Sequence, residues 1–151
     1  MVDVLADVRI YEFIGGVPDT LESLTARYER QVVGRSPDGA ELWFNWIVRT
    51  ADDLVAIGHV QATVRSDKSD FDTAEVHTAE LAWVLAPLVQ GQGYATEAAQ
   101  SALTWFRSQG CTHFIAHVHP EHDASMRVAQ RLGFHVTATM YDGEARWELT
   151  D

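Results

Sequence analysis

Apolar and polar positions alternate in two registers along this chain, and the switch between them outlines the fold. TLESLTARYER (Thr20 to Arg30) places Leu21, Leu24 and Tyr28 on one helical face, with Thr20 as a capping hydroxyl. SPDG (Ser36 to Gly39) is a turn. ELWFNWIVR and LVAIGHVQATVR read as two strands of a hairpin joined by ADD at Ala51 to Asp53. After the polar loop SDKSDFD comes a third strand, TAELAWVLA, ending at Pro87. YATEAAQSALTWFRSQG is the clearest helix: Ala95, Ala98, Ala99, Ala102, Leu103 and Phe106 make its apolar stripe, and Gly110 ends it. HFIAHVH is a fourth strand, and Asp123 to Leu132 a short helix closed by Gly133. FHVTATM and ARWELT form a last hairpin around Asp142-Gly143. The order, a helix followed by β-β-β-α-β-α-β-β, predicts an α/β fold with a mixed sheet and a parallel crossover between Ala79 and His119.

At 151 residues, with 46% hydrophobic composition and no internal repeat, residues 1–151 are expected to form a single domain. The formal net charge of −11, with Lys68 the single lysine, disfavours nucleic acid as a partner and favours cations such as protonated amines. One cysteine, Cys111, permits no intrachain disulfide. The start MVDVLADVRIYEF lacks the apolar core of a signal peptide, and no stretch has the length of a membrane span. A cytoplasmic protein without a membrane partner is the expectation.

The chemistry concentrates around VQGQGYATEA, residues 89–98. Glycines between a strand and a helix let a ligand approach the unpaired N–H groups of the helix N-terminus, a site for phosphate that needs no lysine. Two familiar phosphate loops do not fit. A P-loop ends in G-K-[S/T], whereas Gly93 is followed by Tyr94 and Ala95; a dinucleotide fingerprint needs a third glycine where Thr96 stands.

Gln90-Gly91-Gln92-Gly93-Tyr94-Ala95 does match Q/R-x-x-G-x-G/A, and in this it resembles the acetyl-CoA signature of the GNAT superfamily of N-acyltransferases. HPEHDASMRVAQRLGF resembles the N-P-E-N-x-x-S-x-R-V-x-x-x-L-G-F stretch of the branch that includes ribosomal-protein N-terminal acetyltransferases. The resemblance implies a single-domain GNAT-like mixed sheet whose central parallel strands, Leu81 to Leu85 and Phe114 to Val118, splay apart. Acetyl-CoA would enter the cleft as acyl donor. Its pantetheine would pair with the strand at Leu81, Trp83, Val84 and Leu85, and its pyrophosphate would rest on the turn Gln90, Gly91, Gln92, Gly93, Tyr94 and Ala95. His122 stands where the family has asparagine, and together with Ser125 is expected to contact the coenzyme.

Amide formation on a thioester requires a base for the incoming ammonium and an acid for the departing sulfur. By the same resemblance, Ser125 is the candidate acid, or else a serine bonding its own helix terminus. The tyrosine that many members use as acid is replaced by Ala129. Glu80 is one candidate base, or a solvated strand-end carboxylate. His117 is another, or a structural histidine. His113, His117, His119 and His122 crowd ten residues, the first three expected on one strand face, but no cysteine joins them and no metal is expected. The acceptor is expected to be a primary amine, a protein N-terminus or a small cationic amine, chosen by the loops GGVPDT and Asp67 to Asp72, with Trp43 or Trp46 lining the cleft. A GNAT-like domain that binds acyl-CoA without turnover is the alternative.

Family members usually carry a strand and helix ahead of the position of RIYEFIGG. The expectation is therefore a fold lacking the usual first strand, its ELWFNWIVR edge covered by a second copy in a homodimer.

Overall fold

The protein is described from a computed structural model, which describes residues 1–65 and 78–150. A sheet in the order β1-β2-β3-β4-β6-β5 runs through it, built from β1 (Glu41–Arg49), β2 (Ala56–Arg65), β3 (Thr78–Leu85), β4 (His113–Val118), β5 (His135–Tyr141) and β6 (Glu144–Thr150). Every adjacent pair is antiparallel except β3 and β4, which are parallel. Their connection is the long helix α3 (Tyr94–Ser108), as a crossover demands. The mixed α/β sheet expected from the apolar pattern is present. At the last hairpin, Asp142 and Gly143 have φ of 49° and 83°, the left-handed pair that a two-residue turn of this type uses.

One face of the sheet packs on α3 and α4 (Asp123–Arg131). There Val60, Ala62, Val64, Ala79, Leu81, Phe114 and Ala116 meet Ala99, Ala102, Leu103 and Phe106 in the main core. Ala95 and Ala98, on the same helical stripe, stay half-buried because they border cavities and not the sheet. On the opposite face lies a smaller cluster of Leu5, Ile10 and Leu24 with Tyr28 and Val84. It is built by α2 (Leu21–Gln31) and by the N-terminal segment, whose two 3₁₀ turns and short α1 (Tyr11–Ile14) the apolar pattern does not predict. Thr20 caps α2 as expected, accepting a bond from Ser23 N at 3.1 Å. Leu21, expected on the apolar face, is exposed.

β1 is an edge strand, and beyond an isolated bridge between Arg35 and Leu42 nothing pairs its outer side among the described residues. β5, at the other edge, departs from alternation: Val136 and Met140 are both exposed, where its register with β6 shifts. Among the described residues no helix is long and apolar enough to cross a membrane.

His59 of β2 lies beneath α2, beside Arg27, Tyr28 and Gln31. Burial, reinforced by the charge of Arg27, pulls its imidazole down to about 4 from the ordinary 6.5. Between those values the unfolded chain holds a proton that the folded chain does not, so stability falls as pH falls through that window. The expected loss on acidification from neutrality to about pH 4 is on the order of 3 kcal/mol. Denaturant titrations of wild type and His59→Gln check this: the wild type should lose more stability than the variant, and equal losses would clear His59.

Candidate active site

β3 and β4 separate after a short contact. They pair at Thr78↔His113, Ala79↔Phe114 and Glu80↔Ile115 and no further. Beyond Glu80, β3 is held by β2 alone as far as Leu85, while β4 continues along β6 to Val118. Ala86 N donates to Ile57 O at 2.9 Å, so by alternation the backbone groups of Leu81, Trp83 and Leu85 turn away from β2 and face the gap. The Gln90 side-chain amide crosses to one of them, donating to Leu85 O at 3.1 Å.

The gap opens into a cavity of about 420 Å³. Trp83, Val84 and Leu85 line it from β3, Ile10 and Ile14 from the N-terminal segment, His122 from the residue just before α4, and Ser125, Arg127 and Arg131 from α4 itself. Gly91, Gly93, Tyr94, Ala95 and Thr96 line it at the start of α3. Gly91 and Gly93 have φ of 78° and 91°, the left-handed region, which bends the chain sharply into the helix. No side chain caps α3, and its first backbone bond is Glu97 N to Gly93 O at 3.0 Å. The preceding amides therefore remain available to a ligand. Thr96 Oγ1 is buried here with no partner.

Not all expected coenzyme contacts line this cavity. Leu81 borders a second cavity on the other side of β3, and the exposed side chain of Gln92 lines neither, leaving its backbone N–H as the group it could offer. Conversely, Thr96, Arg127 and Arg131 line the first cavity without having been singled out in the sequence. The two arginines stand one turn apart on α4, and neither has a carboxylate partner among the described residues. Their spacing in SMRVAQR was a legible signal; taken alone it looks like an ordinary solvated face.

Two side-chain pairs cross the sheet here. Trp83 Nε1 donates to Ser125 Oγ at 3.0 Å, tying β3 to α4 over the gap. One acceptor lone pair of the serine is thereby used, and its own O–H is left to donate elsewhere. His117 Nδ1 lies 3.0 Å from Glu80 Oε1. The two candidate bases thus form one pair: Glu80 borders the second cavity, and His117 sits behind it, 5.5 Å from the Tyr141 ring. His122 stacks on Phe13 with ring centroids 4.5 Å apart. Burial, and then the neighbouring His119, lower its pKa, so at neutral pH it faces the cavity as an uncharged imidazole.

The remaining histidines disperse. His113 bonds Thr78 across the strands at 3.3 Å. His119, expected on the strand, falls beyond the end of β4 and accepts from Glu121 N. Among the described residues no three His, Cys, Asp or Glu side chains converge as a metal site would require. Ala129 is fully buried in the main core.

The second cavity, about 330 Å³, lies over β1, β2 and β3 beneath α2. Trp43, not Trp46, lines it; Trp46 instead packs against Trp105 and Phe106 on the opposite face. The loop GGVPDT does not reach this cavity, and Asp67 to Asp72 lie outside the described residues. β3 runs from one cavity to the other, with Glu80 and Ala82 in the second and Trp83 and Val84 in the first.

The fold that carries this divided strand recurs in known proteins. A 58-residue segment is 41% identical to an uncharacterized N-acetyltransferase, YnaD, of Bacillus subtilis (strain 168), covering 38% of this chain and 34% of that protein. The chain thus matches about a third of the length of this curated relative. Among solved structures, a GNAT-family acetyltransferase from Bacillus anthracis superposes with a TM-score of 0.73 at 21% identity, over 99% of this chain and 86% of that one. The aminoglycoside acetyltransferase AAC(6')-Ib, solved with paromomycin and acetyl-CoA, gives 0.74 at 20% identity, over 99% and 85%. At such identities the superpositions speak for the fold. The GNAT acetyltransferase domain profile itself matches residues 1–135, most of the chain, and by that match the protein belongs to the GNAT acetyltransferase family.

Proposed function

We propose that this protein transfers an acetyl group from acetyl-CoA to a primary amine. The observation that carries the reading is the cavity where β3 leaves β4, joined to the uncapped N-terminus of α3 and to the buried, unpartnered hydroxyl of Thr96. An unmet hydroxyl beside free amides suits an anionic ligand that accepts several hydrogen bonds. The amides from Gly91 to Thr96 would hold the diphosphate, with Arg127 and Arg131 offering charge nearby. The backbone of Leu81, Trp83 and Leu85 would pair with the pantetheine amides.

The bound thioester supplies an activated acyl group; the chain's own residues move the protons. Transfer exchanges a carbon–sulfur bond for a carbon–nitrogen bond; the ammonium loses one proton to become nucleophilic and a second as the amide forms, one proton is placed on sulfur, and the net one is released to solvent. Glu80, at the edge of the second cavity, accepts these protons from nitrogen in turn and passes them to solvent. His117 positions it through the 3.0 Å contact, so its oxygen is fixed before the amine arrives. Ser125, with its oxygen engaged by Trp83, donates to sulfur and is reprotonated from solvent.

Calorimetry with coenzyme A and thiol release across a panel of amines test the proposal. Thr96→Val gives a specific check. Removing an unsatisfied buried hydroxyl should raise the stability of the free protein by about 1 kcal/mol while weakening coenzyme A binding roughly tenfold. Absence of coenzyme A binding by the wild type would defeat the reading. Tight binding with no thiol release from any amine would instead support a domain that holds acyl-CoA without turnover.

A further inference from the structure

We infer that the acceptor is an amine that also carries a carboxylate, held by Arg27 and Arg30 while its nitrogen faces Glu80; this rests on the transferase reading above. The second cavity has opposite charges at separate positions. Among the described residues Glu80 of β3 supplies its one carboxylate, and α2 supplies Arg27 and Arg30, three residues apart and therefore on one helical face. In a chain where 22 acidic residues face 11 basic ones, a cavity whose described lining holds two arginines and one carboxylate inverts the overall balance.

Neither arginine is spent on the fold alone. Arg27 Nη1 reaches Asp19 at 2.8 Å, but its Nε is buried without an acceptor. Arg30 has no carboxylate partner among the described residues and is exposed. A plain amine substrate satisfies Glu80 but leaves the Arg30 guanidinium and the Arg27 Nε without an acceptor. A carboxylate on the same molecule satisfies them, and its two oxygens match the guanidinium fork. An amine with further positive charges would meet repulsion from α2. At about 330 Å³, the cavity suits one amino-acid-sized group. Free amino acids and the acidic first residue of a peptide share this chemistry.

The test measures kcat/KM by thiol release for acceptors that differ in charge: free aspartate and its diamide, asparaginamide, C-terminally amidated peptides beginning with Asp or Asn, and a diamine. Carboxylate acceptors should exceed their amide counterparts by roughly ten- to a hundredfold. Arg30→Gln should shrink that ratio toward one, chiefly through KM, and Arg30→Glu should shift preference to the diamine. Arg30 is exposed, so both variants should fold, and coenzyme A calorimetry verifies that they do. Turnover of the Asp peptide alone, or of free aspartate alone, keeps the proposal and identifies the source. Preference for the diamine by the wild type, or an acidic preference that survives Arg30→Gln, overturns it and leaves the transferase reading standing. Coenzyme A binding without turnover of any amine overturns the transferase reading, and this inference with it.

Discussion

Glu80→Gln is expected to lower kcat by about a hundred- to ten-thousandfold, the range over which a positioned general base contributes. The substitution preserves volume and keeps an oxygen able to accept from His117, so the sheet at Glu80↔Ile115 should be undisturbed. What it removes is the ability to take a proton. Coenzyme A affinity, read by calorimetry, should stay close to that of wild type, because Glu80 borders the second cavity and not the first, where the coenzyme is proposed to bind. Asparagine at His117 should cost less, since it frees Glu80 to rotate but leaves the carboxylate in place. A Glu80→Gln enzyme that retains a kcat within about threefold of wild type would remove Glu80 from the mechanism and return the role to His117 or to solvent.

Gly58→Ala is the substitution expected to harm the fold most. Gly58 lies on β2 opposite Leu85 of β3, with ordinary strand backbone. A methyl group there would overlap the Val84 carbonyl oxygen and Leu85 Cδ2, and come 2.9 Å from Leu85 Cα. Two of these obstacles are backbone, which no rotamer change relieves. β3 would have to move away from β2, at a cost on the order of 3 kcal/mol. The same displacement shifts Val84 and Leu85, which line the first cavity, the proposed coenzyme site. The expected result is therefore a lower denaturation midpoint together with weaker coenzyme A binding. A variant with wild-type stability would show that β3 yields more easily here than its neighbours imply.

Some of this architecture is legible in the linear chain because it rests on local physics. The stripe of Ala99, Ala102, Leu103 and Phe106 has helical period, and those residues are the buried face of α3. Gly93 precedes that helix, where a left-handed backbone is required, and it takes one. The Asp142-Gly143 turn needs no partner to declare itself. Even the division of β3 could be anticipated, but through family resemblance and not from the residues alone.

The pairing of distant groups was beyond the sequence. Glu80 and His117 look like rival bases when read in isolation. Parallel pairing sets Glu80 opposite Ile115, and the two-residue period of a strand then brings His117 onto the same face within hydrogen-bond reach. Ser125 has no visible partner until β3 lays Trp83 against α4. Arg27 and Arg30 resemble the solvated side of an amphipathic helix, and become a charged wall only because α2 lies over β1, β2 and β3.

Thus the chain by itself determined which segments coil, extend and turn, and where bare helical amides await an anion, since backbone conformation follows from neighbouring residues. The tertiary structure alone decided that the Glu80 carboxylate and the His117 imidazole lie in contact, that a threonine hydroxyl is stranded in the first cavity, and that arginines line the second. Those are contacts between residues far apart in sequence, and their geometry depends on strand order and register, which local preferences do not encode.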